Sequence, residues 1–443
     1  MLRVPPPKAR TSTGIPTWIS FSVFTVLMGG LSLLRYETCH SRSLDMAYYV
    51  RLVWGMAHGT YDQPVVGAPH ILGLHLEPVL VPFALAARLG VPIAELLLVA
   101  QAAMAGAVIF PATALSKRRL GPILGEKWAH AAALAIYLIP TVTRCVDYDF
   151  HPSTMVIWPL LAMVNALDAG QMRRAAAWFL FALTFREDVG LQGAAAGLTI
   201  AVRPPGRTPG ERAWGLALGG IGLAWFFGYC LGIQPHFLPD ARTGSFGAHF
   251  SHFGGGEGGV GGVLRAALSQ PGHLLKYLVS GDRPLYPLLL LVQVGFLPLL
   301  APRWLAGALP LVAINVLSDY PGMRSMQAHY ITAAVPFIAA SATCGAARLA
   351  LWLKGKKTLS PTLLLAATAM AWALRGASPW SPEWRTSAYV SDDQSRLCRS
   401  LVASTPKDAE VVAPSAILAH LACRPVARRG TQYAVSSQRG EPP

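Results

Sequence analysis

The stretch TWISFSVFTVLMGGLSLL, residues 17–34, carries no charged side chain. A helix crossing the hydrocarbon core of a bilayer needs roughly 20 mainly apolar residues, so this stretch reads as a membrane span. Ten further apolar runs follow, at 93–114, 127–143, 153–168, 172–185, 188–202, 213–232, 284–301, 303–318, 329–352 and 361–376. Several are short or interrupted by Pro111, Pro159, Pro298, Pro310 and Pro336. Residues 76–90 are also apolar at helical spacing but too short for a span, and predict a re-entrant or interfacial helix. The expected fold is an all-α polytopic membrane protein with about eleven transmembrane helices.

Composition excludes the soluble alternatives. Of 443 residues, 53% are hydrophobic and only 13% charged, whereas a soluble chain needs roughly 25% charged residues to coat its surface. The formal net charge of +15 would suggest nucleic acid in a soluble protein. Here Lys and Arg sit in short loops between apolar runs, and no nucleic-acid motif is present.

Those loops orient the spans, because cytoplasmic loops of membrane proteins are enriched in Lys and Arg. With the N-terminus in the cytoplasm, inner loops hold Lys117, Arg118, Arg119 and Lys127; Arg173 and Arg174; Arg203, Arg207 and Arg212; Arg303; and Lys354, Lys356 and Lys357. Residues 1–16, with Arg3, Lys8 and Arg10, then form a cytoplasmic segment ahead of a signal anchor. Residues 17–376 form the transmembrane domain, with long outer loops at 35–92 and 233–283. Residues 377–443 form an extracytoplasmic tail or small α/β unit. Cys398 and Cys423 share that tail and could pair as a disulfide on an oxidising side. The glycine-rich run 253–262 reads as a linker or a mobile lid.

The outer loops gather the polar groups. SLDMAYYVRLVWGMAHG, residues 43–59, has apolar and aromatic residues at helical spacing, as in an interfacial helix with Tyr48, Tyr49 and Trp54 at headgroup level. Ser43 or Asp45 could cap that helix. Asp149-Phe150-His151-Pro152 follows Arg144, Asp147 and Tyr148; such a set could hold a divalent metal or a phosphate, or cap the next helix with Pro152 in its first turn. Arg186, Glu187 and Asp188 interrupt two apolar runs almost without spacer, where ionisable residues are costly and usually paired or functional. Arg324 and the His329-Tyr330 pair enter a later span; a guanidinium matches phosphate geometry.

The order of these motifs resembles the bacterial membrane proteins grouped as domain of unknown function 2079, similar in turn to the glycosyltransferase C (GT-C) superfamily. The resemblance rests on Asp45-Met46-Ala47…Arg51…Trp54…His58-Gly59, His75-Leu76-Glu77-Pro78, Asp149 to Pro152, Arg186-Glu187-Asp188, His329-Tyr330…Pro336 and Pro406-Lys407-Asp408-Ala409. Ala47, Arg51 and Arg186 stand where the family pattern has Gly, Gln and Lys.

The resemblance implies a GT-C-like fold in a bacterial inner membrane, with interfacial helices in the first outer loop. It implies a glycosyltransferase that moves sugar from a polyprenyl-phosphate donor to an acceptor outside the cytoplasm. Asp45 would be the general base. His75, Glu77, Asp149 and His151 would line the site, with Glu187, Asp188 and Tyr330 beside them. Arg186, Arg324 and His329 would contact the donor phosphate. No cofactor is required by this reading, though a divalent metal fits it. A transporter or flippase, or a non-catalytic membrane protein, are the competing readings.

Overall fold

A computed structural model of the chain describes residues 16–41, 44–202, 208–238, 249–253, 255–326 and 329–430. Arg3, Lys8 and Arg10, the loop residues Arg203 and Arg207, Ser43 and Asp240 lie outside these segments, as does Gly254 of the glycine-rich run. The architecture is almost entirely helical. Among the described residues the only strands are Val411–Ala413 and Ala427–Arg429, paired in parallel within the C-terminal unit.

Among the described residues, four helices are long and apolar enough to cross a membrane: Thr17–Glu37, Ile93–Arg119, Pro209–Phe237 and His329–Trp352. The helices Glu126–Leu138 and Pro140–Tyr148, bent by 45° at their junction, make a fifth if they form one span. Other apolar runs become shorter helices, among them Val189–Val202, Leu305–Leu317 and Leu359–Arg375. The run at 284–301 breaks after the helix Leu285–Val292, because Gly295 and Phe296 both take positive φ and turn the chain. The first span exposes Val23, Val26, Leu27 and Leu34 on its outer face. That exposure suits lipid and would be costly in water. Residues 76–90 yield the helical segment Pro78–Arg88, about half of what a full span requires.

One helix pair is held by backbone contact. A Cβ on Gly190 would stand 2.3 Å from the carbonyl oxygen of Gly222, and one on Gly197 would stand 2.5 Å from that of Gly215. Val189–Val202 therefore lies directly on the helix Pro209–Phe227, in the small-residue packing that substitutes for a hydrophobic driving force inside lipid. Gly222→Leu is expected to force the helices apart and lower the melting temperature in detergent by several degrees. Because Gly190 follows Asp188 by two residues, the same variant should disturb the Arg186–Asp188 turn, read out as weaker ligand binding.

The C-terminal unit folds back onto the foot of the first span. Thr38 Oγ1 donates to the Ala388 carbonyl at 2.8 Å, Ser395 Oγ to the Thr38 carbonyl at 2.8 Å, and Gln394 Nε2 to the Cys39 carbonyl at 3.3 Å. These bonds lay the helix Asp393–Ser404 beside Cys39. The expected Cys398–Cys423 bridge is thereby corrected: Cys398 is bonded to Cys39, with Cα atoms 6.5 Å apart, and Cys423 is a free thiol. Arg144 adds a second anchor, reaching Ser381 Oγ at 2.9 Å, Glu383 at 3.1 Å and the Arg375 carbonyl at 3.1 Å.

Candidate active site

The helix Asp45–His58 begins at Asp45 itself, with Leu44 in the cap position and no side-chain capping bond. The N-cap reading of Asp45 is therefore replaced by a first-turn carboxylate, whose Oδ2 lies 3.2 Å from His151 Nε2. Tyr48 and Tyr49 are buried, only 8% and 4% exposed, because the helix is packed against the bundle. Its C-terminus is closed by Gly59 in the left-handed region, where glycine carries no Cβ penalty.

His151 is placed by its turn. Pro152 opens the short helix Pro152–Met155, where its fixed φ fits the first position. Gln101, from the middle of the span Ile93–Arg119, accepts from the His151 amide at 2.7 Å and donates to the Asp149 carbonyl at 3.0 Å. The His151 ring stacks on His329, with centroids 3.6 Å apart at 22°. Tyr49 meets the His151 ring edge-on at 5.7 Å. Tyr330 packs against His329 at 4.2 Å.

A second group comes from the Arg186–Asp188 turn. Glu187 accepts from His75 Nδ1 at 2.9 Å and from the Leu76 amide at 3.0 Å, tying the segment around His75 to this turn. Arg186 Nε lies 3.5 Å from Asp188 and 3.8 Å from Glu187. It makes no hydrogen bond at either distance.

Both groups line one cavity, about 1280 Å³ including its open mouth. Asp45, His75, His151, Arg186, Glu187, Asp188, His329 and Tyr330 share its wall. Three other expected site residues do not. Glu77 is buried behind Tyr49, whose hydroxyl donates to it at 3.0 Å. Asp149 lies in a separate small space with Arg35 and Asp147. Arg324 is committed to Asp282 and to the Ser318 carbonyl at 2.8 Å. Of the departures from the family pattern, only Arg186 lines the cavity. Ala47 is fully buried, and Arg51 binds Asp62 and the Pro425 carbonyl.

The cavity also contains groups that the motif reading passed over. Tyr48, Ser153, His249 and Thr332 complete its polar wall. The Tyr48 hydroxyl, Ser153 Oγ and His329 Nδ1 are buried without a hydrogen-bond partner. Buried polar atoms are normally satisfied, so this set is primed for a polar ligand. A His between two glycine-rich stretches was the only sequence signal for His249. Tyr48 and Ser153 gave none beyond their neighbours.

Opposing effects act on Glu187. Burial alone would raise its pKa, but His75, Arg186 and the Leu76 amide outweigh it and hold the carboxyl well below its ordinary value of 4.5. The stabilisation from these partners is therefore full above that value and fades as the pH falls through the lowered one. Glu187→Gln is expected to cost about 1–3 kcal/mol near neutrality. In thermal melts the gap to wild type should narrow steadily below pH 4.5; a gap constant down to pH 3 would contradict the assignment.

Among the described residues, the only group of three or more His, Cys, Asp or Glu ligand atoms within 4.8 Å of one another is Cys39, Cys398 and His420. Both sulfurs of that group are in the disulfide, which removes the thiolates a metal would need.

The family described as "Predicted membrane protein (DUF2079)" matches residues 35–441. Among solved structures, the chain is similar to the crystal structure of ArnT from Cupriavidus metallidurans bound to undecaprenyl phosphate. The TM-score is 0.52 at 12% identity, covering 96% of this chain and 89% of that one, so the likeness is one of fold. No curated protein matches.

Proposed function

We propose that this chain, which belongs to the DUF2079 family of predicted membrane proteins, is a glycosyltransferase that takes sugar from a polyprenyl-phosphate donor. The fold likeness to ArnT supports the GT-C resemblance read from the motif order. One observation carries the reading: Asp45 with His151, and Arg186 with His75, lie on the wall of a single cavity although they come from four distant stretches of chain.

In the reaction, an acceptor hydroxyl enters beside Asp45. Its oxygen attacks C1 of the sugar while its proton passes to the Asp45 carboxylate. The bond from C1 to the phosphate oxygen breaks, and polyprenyl phosphate leaves with the electron pair. Arg186 and His75 stabilise the charge that develops on that phosphate. His151 Nε2, 3.2 Å from the Asp45 carboxylate but not hydrogen-bonded to it, would pair with it when protonated. The stacked rings of His151 and His329 lie on the same wall, where an imidazole nitrogen can accept from a sugar hydroxyl. The topology that goes with this reading is an inner-membrane protein of about eleven spans, N-terminus inside and C-terminal unit outside. The Cys39–Cys398 bond agrees with an oxidising outer side for both its ends.

The test is reconstitution of the purified protein in vesicles with a panel of polyprenyl-phosphate sugars. Release of free polyprenyl phosphate above that of an Asp45→Asn control is the expected result. Movement of intact donor across the bilayer without cleavage would replace the enzyme reading with that of a flippase.

A further inference from the structure

The polar cavity has an apolar neighbour. Leu52, Met56, Ile71, Leu72, Leu76 and Leu80 line a groove of about 840 Å³ including its open side, and His75 belongs to the walls of both spaces. The one carboxyl on the groove wall, Glu77, accepts from Tyr49, and burial pushes its pKa up, which favours a neutral, protonated acid. Tyr61 and His70 also line the groove, whose wall is otherwise apolar apart from His75 and Glu77. Beside it, the helix Val81–Arg88 turns Val81 and Leu85 outward, and Leu89 follows at 85% exposure. An exposed apolar stripe of this kind belongs against the lipid boundary.

We infer that this groove seats the isoprene units of the donor nearest its phosphate, with His75 at the junction between chain and head group. The inference rests on the glycosyltransferase reading and adds where the lipid lies. Nδ1 of His75 is committed to Glu187 at 2.9 Å. That fixes the ring, and in its imidazolium form the histidine also has an Nε2–H to donate to a phosphate oxygen. A branched apolar chain fits walls of Leu, Ile and Met, which adapt to irregular shapes. The shared wall at His75 is what assigns the groove to the donor rather than to a bulk membrane lipid.

Filling the groove should penalise long chains selectively. The double variant Met56→Trp, Leu72→Trp adds bulk at two half-buried positions. Its ratio of kcat/KM for an undecaprenyl-phosphate sugar over a two-isoprene analogue is expected to fall about tenfold, equivalent to roughly two buried methylenes. An unchanged ratio overturns the inference. Undecaprenyl phosphate with a diazirine in its first isoprene units gives a second readout on the wild-type chain. Labelling within residues 52–56 and 71–81 is expected, resisted by excess unlabelled undecaprenyl phosphate. Labelling elsewhere, or equal competition by a saturated phosphatidic acid, overturns the groove assignment. Groove labelling in a protein that turns over no donor would sustain the lipid seat while removing the transferase reading.

Discussion

Asp45→Asn is expected to leave the protein folded and to reduce sugar transfer by about 10²–10⁴-fold, the usual contribution of a positioned general base. The substitution keeps size and shape at the first turn of the helix Asp45–His58. An amide oxygen at the same place can still meet His151 Nε2, which lies 3.2 Å from the carboxylate in the parent. It cannot take up the acceptor's proton. The loss should therefore fall on kcat, with donor binding through Arg186 and His75 preserved. A companion variant, His151→Gln, removes the neighbouring ring while leaving the carboxylate; its loss should be smaller and spread over kcat and KM. Melting temperature and the Cys39–Cys398 bond serve as folding controls. Transfer by Asp45→Asn at the parental rate would take the base role away from this residue.

How much of this could be read from the chain varies with the physics involved. Lipid imposes a strong and simple pattern, so the helical membrane architecture follows from apolar run length and charge depletion alone. Helix ends are different, because they depend on local breaks. Gly295 and Phe296 end a helix inside an apolar run that hydropathy treats as continuous. Of the eight candidate residues that share a cavity, Arg186, Glu187 and Asp188 stood out as ionisable groups set between apolar runs, where charge is costly, while Asp45, His75, His151, His329 and Tyr330 were singled out mainly by the order of motifs that resembles the family. Glu77, Asp149 and Arg324 were named with them yet serve other contacts, since side-chain direction is decided by packing that short motifs do not encode. Gln101 left a readable trace, a polar residue buried mid-span, whose task of holding the Asp149–His151 turn appears only in three dimensions. The disulfide partner of Cys398 was not legible. Cys39 lies 359 residues away, and only the docking of the tail on the first span brings the two together.

That docking supplies the largest expected effect on stability. Arg35, in the last turn of the first span, is 2% exposed and donates to Asp147 Oδ2 at 2.9 Å. The Tyr389 hydroxyl, from the C-terminal unit, donates to Asp147 Oδ1 at 2.6 Å, and the guanidinium lies over the Tyr389 ring at 4.9 Å. Asp147 is 1% exposed, so neither charge has water as an alternative partner. Asp147→Ala would strand the Arg35 guanidinium, and removing one partner of a buried ion pair costs about 3–5 kcal/mol. The Tyr389 contact should be lost with it, so limited proteolysis should cleave near residues 377–390 faster than in the parent, while the disulfide still tethers the released piece under non-reducing conditions. Because the cost arises from the unpaired charge, the double variant Arg35→Leu, Asp147→Leu should recover much of the lost stability, as apolar replacements of buried pairs often do. The direction of that comparison is decisive: a double variant less stable than Asp147→Ala would mean that the ion pair itself, and not the avoidance of a stranded charge, holds the tail on the first span.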